Sequence, residues 1–184
     1  MQSFLPFPLH PAIVHFPIAL SVLLPFFAVG AIWAIRRGTR PRLAWGVTTA
    51  LFAALSLSSW VAVETGEQQD ERVEKVVAEA PLDSHEEAAE AFLLFSLGVL
   101  GVAAVGLVPG RVGSGARLLG ALGSVALLGA GYRVGHSGGQ LVYQYGAASA
   151  YTSGGTVERG GEVVREPGSN GEPSRAKRGN DDDR

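Results

Sequence analysis

Hydrophobic residues along this chain gather in four blocks, each close to the roughly 20 residues that a helix needs to cross the hydrocarbon layer of a membrane. The blocks cover residues 12–35, 43–63, 88–108 and 116–134. Small residues are frequent in the last two blocks, where they let helices approach each other closely in lipid. The pattern predicts an all-α fold, a four-helix transmembrane bundle surrounded by the lipid bilayer.

The composition agrees with a membrane protein and restricts its chemistry. Of the 184 residues, 47% are hydrophobic and 17% are charged, which is too apolar for an average soluble domain. The sequence has no cysteine, so disulfides, iron–sulfur clusters, thiolate zinc sites and c-type haem attachment are excluded. A redox metal or a haem would have to be held mainly by histidine.

The distribution of charge predicts the orientation of the bundle. Arginines occupy the connection after the first block and the region between the third and fourth blocks: Arg36, Arg37, Arg40, Arg42, Arg111 and Arg117. The connection at 64–87 has nine acidic residues against Arg72 and Lys75. By the positive-inside rule the arginine connections face the cytoplasm. We therefore expect the acidic loop and both termini outside a bacterial inner membrane.

The acidic outer loop contains signals for local helices. Apolar residues recur at helical spacing, at Val73, Val76, Val77 and Ala80, which predicts a short amphipathic helix on the membrane face that ends at Pro81. The segment 84–87 then has the S-x-x-E form of a capping box. This form predicts that the third long helix begins with His85.

The chain has four histidines, and the predicted orientation brings all of them to the outer face: His10, His15, His85 and His136. An ionisable side chain at membrane depth is costly and raises the hypothesis of a functional site. Neutral imidazole is a ligand for haem iron and for zinc or copper. Alternatively, each histidine only hydrogen-bonds a neighbouring carbonyl and serves the structure.

The surroundings of His15 depend on where the first helix begins. If the helix begins at Pro11, His15 lies one turn inside it and Pro17 bends the helix beside it. If it begins at Pro17, His15 is an interfacial residue. We expect His15 to be the better ligand and His10 to be a capping or supporting residue.

The segment 131–146 supplies further candidates near His136. Arg133 could pair with a haem propionate, or extend its charge to the interface. Gly138 and Gly139 permit close approach of a ligand or a helix, and Tyr143 belongs to an aromatic anchor or lid.

The predicted membrane domain spans residues 1–147. Residues 148–184 are rich in Gly, Ser, Glu and Arg, and we expect a disordered tail.

These motifs resemble the bacterial membrane family named domain of unknown function 2231. The resemblance rests on HPAIVHFPIAL at 10–20, on Thr65-Gly66, on His85 and on GHSGGQLVYQYG at 135–146, and covers about residues 8–147. It implies a four-helix membrane domain without an established activity. Some family members are joined to cytochrome c-type or Rieske-type modules, which implies redox work. The family's Gly-x-x-Asp pattern is displaced here, because Asp70 comes one residue late.

We therefore expect a cytochrome b-like protein that binds haem b, or a transition metal, at its outer face. His10, His15, His85 and His136 are the candidate ligands, supported by Arg133, Gly138, Gly139 and Tyr143. The expected role is electron transfer between a membrane donor, such as quinol, and an extracytoplasmic redox partner. We expect no nucleic-acid partner. The rival hypothesis is a non-catalytic membrane anchor or scaffold with structural histidines and no cofactor.

Overall fold

The computed structural model describes residues 10–151, and this part of the chain is helical. The helices are α1 His10–Ile13, α2 His15–Arg36, α3 Pro41–Glu67, α4 Asp70–Val73, α5 Glu79–Val105 and α6 Gly110–Tyr143, followed by a 3-10 turn at Ala147–Tyr151. Four segments are long and apolar enough to cross a membrane: His10–Arg36, α3, α5 and α6. The all-α class and the four spanning helices are thus confirmed. Of the predicted tail, residues 152–184 lie outside the described residues.

The first span begins at His10 and is interrupted once. Val14 separates α1 from α2 but keeps helical dihedral angles, φ −60° and ψ −20°. Its amide donates to the His10 carbonyl at 3.1 Å. The interruption follows from Pro17, which has no N–H to donate to the carbonyl of Ile13. Neither of the two predicted starting points is therefore the first helical residue.

The four long helices form a ring in which each packs against two others. Helix α2 contacts α3 and α6, and α5 contacts the same two helices, so α2 and α5 lie diagonally opposite. Short turns at 37–40 and 106–109 join the antiparallel pairs at one end, which we call the arginine end. Gly38 and Gly110 have φ of 100° and 86° there, a conformation that favours glycine. The opposite end, the histidine end, carries all four histidines.

The interior of the bundle is apolar and closely packed. Its fully buried large side chains include Leu24, Trp45, Phe52, Leu55 and Leu127. Many other large apolar side chains are exposed, as expected where a helix surface faces lipid rather than water. Four buried serines donate to carbonyls of their own helices, and the buried Thr48 donates to the Phe27 carbonyl of α2, so these hydroxyls are satisfied without water.

A second, smaller apolar cluster covers the histidine end. This cap cluster consists of Val73, Val77, Leu82, Leu141 and Ala147, from four different segments of the chain. The predicted amphipathic helix over this loop is not confirmed, because only the single turn of α4 is helical before α5. Val73 and Val77 are nevertheless buried, as their spacing suggested.

The beginning of α5 differs from the prediction. The helix begins at Glu79, after Ala78 in an extended conformation, so the predicted start at His85 is wrong. Pro81 is the third helical residue, and the first turn of a helix tolerates proline because its N–H groups have no intrahelical partners. Ser84 and Glu87 therefore lie inside the helix. His85 projects from its second turn rather than its first.

Candidate functional site

The first element of the candidate site is the imidazole of His10. Its Nδ1 lies 2.9 Å from the carbonyl oxygen of Ala62 on α3. A carbonyl only accepts hydrogen bonds, so Nδ1 carries a proton and donates. The Thr65 hydroxyl lies 3.4 Å from the same nitrogen and donates its own proton to Val61 at 2.8 Å. His10 therefore connects the beginning of the first span to the C-terminal end of α3.

The second element is the imidazole of His85, which contacts α6 in a similar way. Its Nδ1 lies 2.8 Å from the Ser137 hydroxyl oxygen. Ser137 donates its proton to the Val134 carbonyl at 3.0 Å, and this carbonyl is also a hydrogen-bond acceptor for the ring. With the serine proton engaged, the oxygen accepts from Nδ1–H of His85.

These hydrogen bonds define the chemistry of the two rings, which we call the histidine pair. A neutral imidazole with its proton on Nδ1 has its lone pair on Nε2. That nitrogen can ligate iron or another transition metal, or accept a proton. His10 and His85 belong to diagonally opposite spans, and they lie close enough that a positive charge on one ring would disfavour a charge on the other. The pair thus presents two donor nitrogens of the kind that a metal-containing cofactor requires.

Glycines make room for both rings. A Cβ atom at Gly138 would lie 3.0 Å from Cε1 of His85, and one at Gly66 would lie 3.3 Å from Cε1 of His10. By contrast, a Cβ at Gly139 or Gly135 would meet nothing within 4 Å. Close approach to a functional side chain is therefore found at Gly138, but not at Gly139.

Two acidic side chains lie beside the histidine pair. Asp70 and Glu86, which we call the carboxyl pair, lie close enough to share a hydrogen bond when one of them carries a proton. Burial raises the pKa of Asp70 above its ordinary value, while the hydrogen bond with Glu86 and the charge of His10 act in the opposite direction. Oε1 of Glu86 is buried and has no hydrogen-bond partner among the described residues.

The remaining predicted site residues lie on the outside of the bundle. His15 and Arg133 are exposed. His136 is exposed as well, and its ring stacks on Tyr132 with centroids 5.9 Å apart. Tyr143 is 89% exposed. Of the eight predicted residues, the structure brings together only His10, His85 and Gly138.

The described residues contain no group of three or more His, Asp or Glu side chains arranged to hold a metal ion. The histidine pair supplies two donors, and the carboxyl pair is engaged with itself. The side chains that the structure describes therefore form no zinc-type site with four protein ligands. The arrangement is compatible with a ligand that needs only two nitrogens from the protein.

Sequence reasoning missed the role of the hydroxyl groups and of the carboxyl pair. Thr65 was noticed only as part of a family motif, and Asp70 only as a displaced member of a pattern. Ser137 and Glu86 were not singled out. A signal was present for the hydroxyls, because a hydroxyl residue precedes glycine both at 65–66 and at 137–138.

The comparisons with known proteins identify the family. A family model described as "Predicted membrane protein (DUF2231)" matches residues 6–150. No curated protein and no solved structure matches the chain. The matched range includes all four spanning helices, the histidine pair and the cap cluster. The chain therefore belongs to the DUF2231 family of predicted membrane proteins.

Proposed function

We propose that this membrane domain binds haem b at its histidine end through Nε2 of His10 and Nε2 of His85. The observation that carries the proposal is the hydrogen bond at each Nδ1. Such a bond fixes the tautomer of a ligating histidine and raises its basicity. Haem would supply a one-electron redox centre, for transfer between a membrane donor such as quinol and a partner outside.

The number of donors favours haem over a bare metal ion. Haem iron receives four nitrogens from its macrocycle and needs one or two axial ligands from the protein. Structural zinc needs four protein ligands, and among the described side chains there is no cluster of three. In a less favoured version of the proposal, the two nitrogens bind a transition metal ion, and water molecules complete its coordination.

The geometry favours His10 over His15 as the partner of His85. His10 hydrogen-bonds α3 and is partly buried, whereas His15 is exposed. This order is the reverse of the sequence-based expectation. The break at Val14 explains it, because the turn before Pro17 places His10, and not His15, against α3.

Charge supports the proposed orientation, with the histidine end outside. The turns at the arginine end, with the residues next to them, contain Arg36, Arg37, Arg40, Arg42 and Arg111. The opposite connection is strongly acidic. Basic connections remain on the cytoplasmic side during insertion. Reporter fusions at Gly38 and after residue 184 should report opposite sides of the membrane; the same side for both would contradict this orientation.

The test of haem binding is an absorption spectrum. The full chain is expressed with ample haem precursor, purified in detergent and measured before and after dithionite, with elemental analysis in parallel. We expect a Soret band and a sharpened visible band on reduction. Absence of both a Soret band and a stoichiometric metal would overturn the proposal.

Four single variants then test the ligands. His10→Ala and His85→Ala should each abolish or shift the haem bands, because each removes one axial nitrogen. His15→Ala and His136→Ala are the matched controls and should leave the spectrum unchanged. Loss of the bands in a control, with retention in His10→Ala, would show that the ligand assignment is wrong.

The alternative function is a non-catalytic membrane anchor or scaffold. One observation favours it: His10 joins the first span to α3, and His85 joins α5 to α6. Hydrogen bonds of this kind are sufficient to explain two partly buried histidines without any ligand. Under this alternative, the histidine variants lower thermal stability and the purified protein has no cofactor.

A further inference from the structure

The two helical hairpins of the bundle bury residues at matching positions. The buried residues of α2 recur in and directly after α5 at a constant separation of 75 residues. The matched pairs are Pro17 and Phe92, Ser21 and Ser96, Leu24 and Val99, Ala28 and Ala103, and Ala31 and Gly106. His10 and His85 have the same separation.

Helices α3 and α6 match in the same manner, with a separation of 72 residues. The buried pairs are Trp45 and Arg117, Thr48 and Gly120, Phe52 and Ser124, and Leu55 and Leu127. The same separation relates Thr65 to Ser137 and Gly66 to Gly138. Burial alone recurs along any helix with one buried face. The more specific agreement is at the histidine end, where a histidine matches a histidine and a hydroxyl-glycine dipeptide matches another.

The contacts within the two hairpins are equivalent as well. In each hairpin, the histidine ring lies beside an equivalent carbonyl and an equivalent hydroxyl, those of Ala62 and Thr65 for His10 and those of Val134 and Ser137 for His85. In each, the hydroxyl of the dipeptide lies next to Nδ1 of the ring and donates to a carbonyl one turn earlier. The glycine of each dipeptide faces Cε1 of the ring. Two independent structural histidines would have no reason to share all three features.

We propose that the domain is a tandem repeat of one helical hairpin, and that Thr65-Gly66 and Ser137-Gly138 are equivalent positioning sites. Each site holds one imidazole with Nδ1–H bonded to the protein, so that both Nε2 atoms serve one ligand shared by the two repeats. The shared ligand rests on the proposed haem function. The positioning of the rings does not, and it can be measured in protein without haem.

The glycine has a steric role and the hydroxyl an electronic one. A methyl group at Gly138 would lie 3.0 Å from Cε1 of His85, which is tighter than nine in ten Cβ contacts and would force the ring to shift by a few tenths of an ångström. The hydroxyl oxygen, with its proton given to the backbone, accepts from Nδ1–H and favours that tautomer. Together they fix the plane of the ring and the nitrogen that carries the lone pair. This is the preorganisation that a two-nitrogen ligand site requires.

The experiment is nitrogen-15 NMR of the full chain labelled on its histidines, in detergent and without added haem. The measurement is made at about pH 8, above the ordinary pKa of histidine of about 6.5. His10→Gln and His85→Gln assign the signals. We expect the Nδ1–H tautomer for His10 and for His85. The Nε2–H tautomer at both positions would overturn the proposal.

Glycine variants test the fit of each ring, with matched controls on the same helices. Gly138→Ala should shift the His85 signals and leave those of His10, and Gly66→Ala should do the reverse. Gly139→Ala and Gly46→Ala, where a Cβ meets nothing within 4 Å, should shift neither ring. If Gly139→Ala disturbs His85 as much as Gly138→Ala does, the glycines are not positioning residues.

Exchange of the hydroxyls tests the equivalence of the repeats and uses conservative changes that should fold. Ser137→Thr gives the second repeat the dipeptide of the first, and Thr65→Ser does the opposite. Both variants should retain the Nδ1–H tautomer, whereas Ser137→Ala leaves only the Val134 carbonyl as acceptor and should shift the His85 nitrogen signals. Loss of the tautomer in Ser137→Thr would contradict the equivalence.

The haem spectrum of the same variants separates the two proposals. If haem binds, Gly138→Ala should lose most of the Soret absorbance and Gly139→Ala should keep it. If no variant and no wild-type sample binds haem, but the tautomers and the exchange results are as expected, the positioning sites stand and haem is rejected as their ligand. If haem binds equally well to Gly138→Ala and to the wild type, the positioning role is rejected.

Discussion

The two ends of the bundle treat buried polar groups differently. At the arginine end, the Trp45 indole N–H donates to the Ala103 carbonyl at 2.8 Å. Arg117, only 7% exposed, donates to the Gly106 carbonyl at 2.6 Å and to Ser114 at 3.1 Å. Both side chains thus donate to carbonyls at the C-terminal end of α5. The result is a satisfied polar network, which is what a structural role requires.

At the histidine end, by contrast, some polar atoms are not engaged in hydrogen bonds. Each ring of the histidine pair uses Nδ1 for a hydrogen bond with the protein, and its Nε2 can still accept. Oε1 of Glu86 is the one buried side-chain nitrogen or oxygen in the described part of the chain that has no hydrogen-bond partner. The comparison shows that the polar groups at the arginine end are engaged with the ends of helices, whereas those at the histidine end include acceptor atoms without a hydrogen-bond partner among the described residues.

Among the variants that test this comparison, Gly113→Ala at the arginine end should have the largest effect on stability. A Cβ at this position would overlap the carbonyl oxygen of Val108, which belongs to the backbone of the turn and cannot rotate away. We expect a loss of about 3 kcal/mol or more in the free energy of unfolding, or failure to fold. Thermal unfolding in detergent, followed by circular dichroism, measures it.

The matched control for that change is Gly115→Ala, two residues further along α6. A Cβ there would meet nothing within 4 Å, and alanine favours the helical state over glycine. We expect stability equal to or above that of the wild type. If Gly113→Ala were as stable as Gly115→Ala, the close contact of Gly113 with the Val108 carbonyl would not constrain this turn.

A smaller loss is expected from Trp45→Phe, which keeps a buried aromatic ring but removes the N–H donor. The Ala103 carbonyl loses its bond to the indole and retains only the longer one from Thr49, at 3.3 Å. We expect a destabilisation of about 1–3 kcal/mol. Trp33→Phe is the control, because Trp33 is 59% exposed and its ring lies 5.0 Å from the Arg37 guanidinium, a contact that phenylalanine can also make. Equal losses in both variants would show that the buried hydrogen bond is unimportant.

Much of the fold was predictable from the sequence because lipid imposes simple constraints. Four apolar runs of spanning length can form little other than four helices. The beginning of α5 was not predictable by the same reasoning. Two local signals competed there: Pro81 can end a helix or occupy its first turn, and the buried contact of Leu82 with the cap cluster decided between them.

The site was less predictable than the fold because it depends on which faces of distant helices meet. The sequence placed all four histidines near one membrane face but could not show that His10 turns inward and His15 outward. That difference arises from the interruption at Val14 and from packing against α3. The repeat separations of 75 and 72 residues carried the missing information, since they relate His10 to His85 and Thr65 to Ser137.

The smallest expected effect concerns the carboxyl pair and the pH dependence of stability. Burial raises the pKa of Asp70 in the folded protein above the ordinary value of 3.8. The folded state therefore binds this proton more tightly than the unfolded chain does. Its contribution to stability is fully present below pH 3.8 and is lost as the pH rises through the folded-state pKa.

Replacement of this carboxyl by an amide should remove that loss. The amide of Asp70→Asn can hydrogen-bond Glu86 without a shared proton. The melting temperature of this variant should therefore fall less between pH 4 and pH 7 than that of the wild type. We expect this difference to be smaller than the destabilisation caused by Trp45→Phe. Glu64→Gln, an exposed carboxyl near the end of α3, is the control and should follow the wild-type curve. An unchanged pH profile in Asp70→Asn would mean that Asp70 carries no titrating interaction. Among the described acidic side chains of the histidine end, Glu86 alone, through its buried Oε1, would then still have an unused hydrogen-bonding atom.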